Sequence, residues 1–146
     1  MMNCAGYALG IDDWVRFDSF TKEAYDEIRL QIYSPDYHDI TKKIDDIMVR
    51  DIAEEVCRKY NMRIIDCNAY TAPVGCVAVR VGTEGMFSDF HFAKKELFCG
   101  EEVWMHKLGS ESVDIMFSEE IESNIWLDFY NSETIYLVGS NQKSPS

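Results

Sequence analysis

The sequence predicts an α+β domain: helices packed on a mainly antiparallel β-sheet. Three observations carry that prediction. Apolar side chains recur at helical spacing through the first sixty residues, and after Asn61 the period changes to two. The helices and strands also come in separate blocks, which disfavours the alternating pattern of a parallel sheet.

The elements follow in order. Asn3-Cys4-Ala5-Gly6-Tyr7-Ala8-Leu9-Gly10 reads as a short helix, capped by Asn3 and stopped at Gly10. The small residues Ala5, Gly6 and Ala8 suit close packing on a sheet. Phe20, Ala24, Ile28 and Ile32 form the stripe of a second helix, ended by Ser34-Pro35-Asp36 because the residue before proline avoids the helical region. A longer helix starts at Asp39 or Ile40, with Ile40, Ile44, Ile47, Met48, Ile52, Val56 and Tyr60 as its stripe. Arg58 and Lys59 suit its negative end, and Asn61 is a left-handed stop. Both stripes read as core-facing. Short strands follow at 62–66, 77–81, 87–93, 103–107, 113–117, 125–130 and 134–138, with Gly82, Gly85, Gly100, Gly109 and Asn131-Ser132 as turns. Residues 1–139 make one domain, and 140–146 read as a flexible C-terminal tail.

With 26 acidic against 14 basic side chains, the net charge of −12 disfavours a nucleic-acid partner and an anionic membrane surface. No apolar run approaches the ~20 residues of a membrane span. The N-terminus lacks the basic region and length of a signal peptide, so the expected location is cytoplasmic. Leu108 to Gln142 holds no Lys or Arg, which reads as a solvated acidic face or a rim favouring cationic ligands. Five cysteines, at 4, 57, 67, 76 and 99, are an odd number without a Cys-x-x-Cys pair. Reduced thiols are expected, with no metal and no cofactor.

Chemistry centres on Cys4. In the first turn of a helix, unpaired amide hydrogens stabilise a thiolate, and a pKa below the ordinary value is expected. A lone cysteine is nonetheless more often a small buried hydrophobe. Among the histidines, His38 lies in a turn before a helix and reads as surface. Alternation puts Phe87, Asp89, His91 and Ala93 on one face of a strand, and Trp104, His106 and Leu108 together on the next. Residues 97–101 are a natural hairpin loop between them, so His91 and His106 fall opposite or one diagonal step apart. A thiol needs a base, and the base works best when a third group fixes its tautomer. Cys4, His91 and His106 supply those parts, with Asp89 competing for the orienting role. The same three residues as metal ligands form a further, less favoured reading.

The segment Asn3-Cys4-Ala5-Gly6-Tyr7 is similar to the Asp-Cys-Ser-Gly-Phe opening of NlpC-type papain-like cysteine peptidases. Asp89-Phe90-His91-Phe92 resembles the family's first histidine strand, and Val103-Trp104-Met105-His106 its second. Gly75-Cys76-Val77-Ala78-Val79 resembles the strand that precedes them. The Cys and His segments look closer still to small bacterial and phage proteins of the same superfamily. The resemblance implies a papain-like fold and a thiol-dependent hydrolase, a peptidase or amidase acting on a short peptide or peptidoglycan-type bond. Cys4 would attack, His91 carry the proton, His106 or Asp89 orient it, and the Cys4 backbone amide stabilise the oxyanion. Trp104 and Tyr7 are candidate substrate contacts. Trp126 and Tyr130 could also line a cleft, though strand aromatics are more often core. Two alternatives stand: a catalytically silent binding or inhibitory module acting on a protein target, or an acyltransferase or transglutaminase-like enzyme using the same thiol.

Overall fold

The computed structural model describes residues 1–109 and 111–142. Four helices run α1 (Cys4–Leu9), α2 (Lys22–Gln31), α3 (Tyr37–Tyr60) and α4 (Ser118–Ile121). The strands are β1 (Met62–Ile65), β2 (Val77–Glu84), β3 (Phe87–Phe98), β4 (Glu101–Lys107), β5 (Val113–Met116) and β6 (Ile135–Gly139). Together they form one sheet in the order β1-β6-β2-β3-β4-β5, every neighbour antiparallel. The fold is α+β, with three helices before the sheet and the short α4 between β5 and β6. Among the described residues, no helix is long and apolar enough to cross a membrane.

Capping explains the helix limits. Asn3 Oδ1 accepts the Gly6 N–H at 3.0 Å, and Gly10 closes α1 in the left-handed region at φ 72°. Asp36 begins the third helix rather than only ending the second: its carboxylate accepts the His38 N–H at 2.9 Å. The helix therefore starts at Tyr37, ahead of the expected Asp39. Asn61 ends it at φ 54°. Ile47, expected in the stripe, is 41% exposed, because Ile44, Met48, Ile52 and Val56 already complete the buried face.

The sheet has a core on each side. On the helical side, Ala5 and Ala8 of α1 and Ile44, Met48, Ile52 and Val56 of α3 pack on Val77, Val79, Val81, Phe92 and Leu137. On the other, Trp104, Trp126, Tyr130 and Tyr136 pack with Ala78, Ala93 and Val138. Alternation along β3 sends Phe90 and Phe92 to the first core and His91 and Ala93 towards the second.

Residues 125–130 depart from the expected strand. They form a tight turn with one isolated bridge, Trp126 to Tyr130, and Leu127 and Asp128 sit at φ 54° and 56°. Side-chain anchors outweigh the alternation there. Buried Arg80 donates to the carbonyls of Ile121 (3.0 Å), Ser123 and Tyr130, and its guanidinium lies 4.8 Å over the Trp126 ring. Gly82, expected in a turn, is inside β2. The Phe129 carbonyl oxygen would lie 2.1 Å from a Cβ at that position, so only glycine admits this loop. Of the expected tail, Gln142 is tied down. Its side-chain amide donates to the Val74 carbonyl at 2.9 Å, and its own carbonyl accepts from Arg63. Residues 143–146 lie outside the described residues.

Candidate active site

The nucleophile candidate and the base candidate belong to different cores. Cys4 is part of the helical-side core, whereas His91 and His106 face the other side of the sheet. They approach each other only around a strand edge, and the ladder makes that edge. β3 pairs with β4 as far as Ala93 opposite His106, then the two part, and β4 turns away through Leu108 and Gly109. On its other side β3 stays paired with β2, with Phe90 opposite Val81. Val81 gives its N–H and takes its C=O bond on the far side, both with Ser132. Phe90 therefore points its own backbone groups at the gap left by β4. Its N–H is accepted by Asp89 at 2.9 Å, and its carbonyl faces the Cys4 thiol at 3.9 Å.

Asn3 and Gly6 hold Cys4 there. The Asn3 amide also clasps Val15, accepting its N–H at 3.1 Å and donating to its carbonyl at 2.8 Å. Gly6 serves a loop rather than the expected sheet, since a Cβ would come within 2.2 Å of the Asp13 carbonyl oxygen. The resulting cleft of about 490 Å3 is lined by Cys4, Asp89, His91, Leu108 and Tyr130, with Trp14 to Phe17 on the helical side.

The histidines meet directly: His91 Nε2 lies 2.8 Å from His106 Nδ1, with ring planes at 86°. They are one diagonal step apart, as His106 stands opposite Ala93. Two nitrogens that share a hydrogen point at each other, so they cannot both point at one metal ion. Among the described residues no cluster of three or more His, Cys, Asp and Glu side chains is arranged to hold one. His91 Nδ1 has no partner among the described residues. If it is to accept a proton, Nε2 must carry the ring hydrogen and donate to His106 Nδ1, which places the His106 hydrogen on Nε2.

Asp89 is engaged elsewhere. Its carboxylate accepts the Tyr130 hydroxyl at 2.7 Å besides the Phe90 N–H. Tyr130 in turn stacks on His91, with centroids 5.2 Å apart and planes at 26°, and Trp126 meets the same ring edge-on at 6.3 Å. Tyr130 thus packs on the base while its hydroxyl holds Asp89. The sequence names it only as a possible cleft residue, because a strand assignment hides the turn that delivers it. Trp104 is not a substrate contact: it is 1% exposed and donates its indole N–H to the Ala69 carbonyl at 3.1 Å. The Tyr7 hydroxyl is bonded to Glu96, away from the cleft. His38 is exposed at the start of α3, as expected.

Burial reverses the expected electrostatics of the thiol. Desolvation pushes the Cys4 pKa up to about 12, and Asp89 adds to the rise. The backbone N–H groups of Phe92, Ala5 and Cys4 act in the opposite sense and lose, so the helix start does not lower the pKa as expected. Desolvation, helped by His106, takes His91 down to about 3. At neutral pH Cys4 is therefore held as a thiol and His91 as a neutral imidazole. A neutral imidazole beside a thiol can act as a general base during attack, without a preformed ion pair.

No family model, curated protein or solved structure matches the chain.

Proposed function

We propose that the chain is a papain-like thiol hydrolase, a peptidase or amidase whose nucleophile is Cys4. The observation that carries this reading is the buried 2.8 Å contact between His91 and His106 beside a cleft that Cys4 shares. A base needs a fixed tautomer and a free nitrogen on the nucleophile's side; the His106 contact supports the first, and the unpartnered His91 Nδ1 in a cleft shared with Cys4 supports the second. In the proposed cycle Cys4 Sγ attacks the amide carbonyl while His91 Nδ1 takes the thiol proton. The proton passes to the leaving amine as the C–N bond breaks, leaving a thioester on Cys4. Water, deprotonated by the same nitrogen, then releases the acid and restores the thiol. The Cys4 N–H would stabilise the oxyanion in both steps, an effect worth about 10²–10³-fold in comparable sites. An amine in place of water gives the acyltransferase variant.

A catalytically silent binding module has its own supporting observation: Cys4 and His91 are both pushed towards their uncharged forms. Rates of Cys4 alkylation by iodoacetamide between pH 5 and 10, followed by peptide mass spectrometry, separate the two. The hydrolase reading expects Cys4 to react well below the pH demanded by its burial. His91→Ala removes that advantage. Equal profiles for the two proteins would leave the binding module.

A further inference from the structure

Beside the cleft lies a second groove of about 330 Å3, lined by Phe20, Tyr25, Met48, Met86 and Phe87 together with Thr83 and Ser88. It shares Phe20 and Thr21 with the cleft, and the Phe20 ring packs edge-on at 5.4 Å against Phe90, whose carbonyl faces the Cys4 thiol. The groove thus adjoins the candidate site, with Phe20 and Thr21 as their common wall. Its walls are mostly apolar, with Lys22 lining it as an ion pair with Asp26, and its polar end is a relay with a fixed sense. The Thr83 hydroxyl donates to Asp45 Oδ1 at 2.6 Å, and the Thr83 and Ser88 oxygens are 2.8 Å apart. With its one hydrogen given to Asp45, Thr83 accepts from Ser88, whose hydrogen is then also used. What this pair leaves towards the groove is oxygen lone pairs: acceptors only. Behind them Asp45 is fully buried, and its Oδ2 has no hydrogen-bond partner among the described residues.

We infer that this groove is the side-chain subsite of the Cys4 cleft and takes an aromatic residue of a peptide substrate that carries a neutral hydrogen-bond donor, a phenol or an indole. Aromatic walls match the ring, and the acceptor-only Thr83–Ser88 pair matches the O–H or N–H. A carboxylate or carbonyl there would meet lone pairs and Asp45. The inference rests on Cys4 being the reactive group of the adjoining cleft, so the test has one arm that does not need it.

In that arm, N-acetyl-tyrosinamide, N-acetyl-phenylalaninamide, N-acetyl-lysinamide and N-acetyl-glutaminamide are titrated into protein carrying ¹³C-methyl methionine. Met48 and Met86 report the groove. The tyrosine amide is expected to move both methyls and to bind about three- to tenfold more tightly than the phenylalanine amide, the worth of one hydrogen bond. Ser88→Ala, which removes one of the two acceptors and keeps the Thr83–Asp45 bond, is expected to narrow that difference and leave phenylalanine binding unchanged. In the second arm, peptidyl chloromethyl ketones with the same side chains alkylate Cys4, and their rates are expected to rank alike. Groove binding with an inert Cys4 keeps the subsite and overturns the hydrolase reading. A reactive Cys4 whose rates ignore the side chain, or a preference for lysine or glutamine, overturns the subsite.

Discussion

Asp45 offers the sharpest thermodynamic test. It is fully buried on α3, with one oxygen bonded to Thr83 and the other unpartnered. Desolvation, opposed by the Thr83 bond, raises its pKa from 3.8 to about 6. A carboxyl whose folded pKa lies above its unfolded value binds its proton more tightly in the fold. Its contribution is therefore full below pH 3.8 and lost as the pH rises through 6. A shift of about two units corresponds to about 3 kcal/mol. Asp45→Asn removes the charge and keeps an acceptor for Thr83, but leaves an unpartnered N–H that costs about 1–2 kcal/mol. The variant is expected to be about 1–2 kcal/mol more stable than the native protein at pH 8 and no more stable at pH 4. Urea unfolding at the two pH values, followed by tryptophan fluorescence, measures the difference. A variant equally destabilised at both would refute the reasoning, because Asp45 would then act by shape and not by charge.

Glu55 predicts the opposite slope. Burial would raise its pKa, but hydrogen bonds from Lys59, Ser19 and Asp18 outweigh that and hold it at about 2, against an ordinary 4.5. Its contribution, about 3 kcal/mol, is present above pH 4.5 and lost as the pH falls towards 2. Glu55→Gln is expected to flatten the acid limb of stability between those values, read by urea midpoints. For the proposed reaction, a His91 held near 3 predicts hydrolysis that stays flat from pH 8 down to pH 5. A limb near the ordinary histidine value would mean that His91 is solvated in the working state. His106→Ala is expected to lower kcat by about 10²-fold with KM little changed, as expected from a misaligned base. His106→Asn, which can keep an acceptor near Nε2, is expected to recover part of it.

The sequence makes the helices and most strands legible because their signals are local. Asn3, Gly10 and Asn61 cap where their chemistry suggests, and the Cys99-Gly100 turn, at φ 52° and 80°, closes the β3–β4 hairpin that sets His91 a diagonal step from His106. The choice between His106 and Asp89 was not legible. It depends on Tyr130, which reaches Asp89 across 41 residues from a loop that alternation presents as a strand. Trp104 failed as a cleft residue because period-two patterning gives a face and not its depth. The raised thiol pKa was hidden for the same reason: helix-start amides are visible in sequence, whereas the layers that exclude water from Cys4 come from Val15, Phe17 and Phe92.

The open stretch of β3 at Phe90 has a mechanical consequence. Cys4 packs in the helical-side core and His91 faces the aromatic core, so under the proposed mechanism a slip of α1 over the sheet would misalign sulfur and nitrogen while the sheet stays paired. Heat is then expected to cost the site its alignment at a lower temperature than it costs the protein its secondary structure. A molecule seated across the seam acts as a rivet, and its binding energy is returned as resistance of the whole fold to shear.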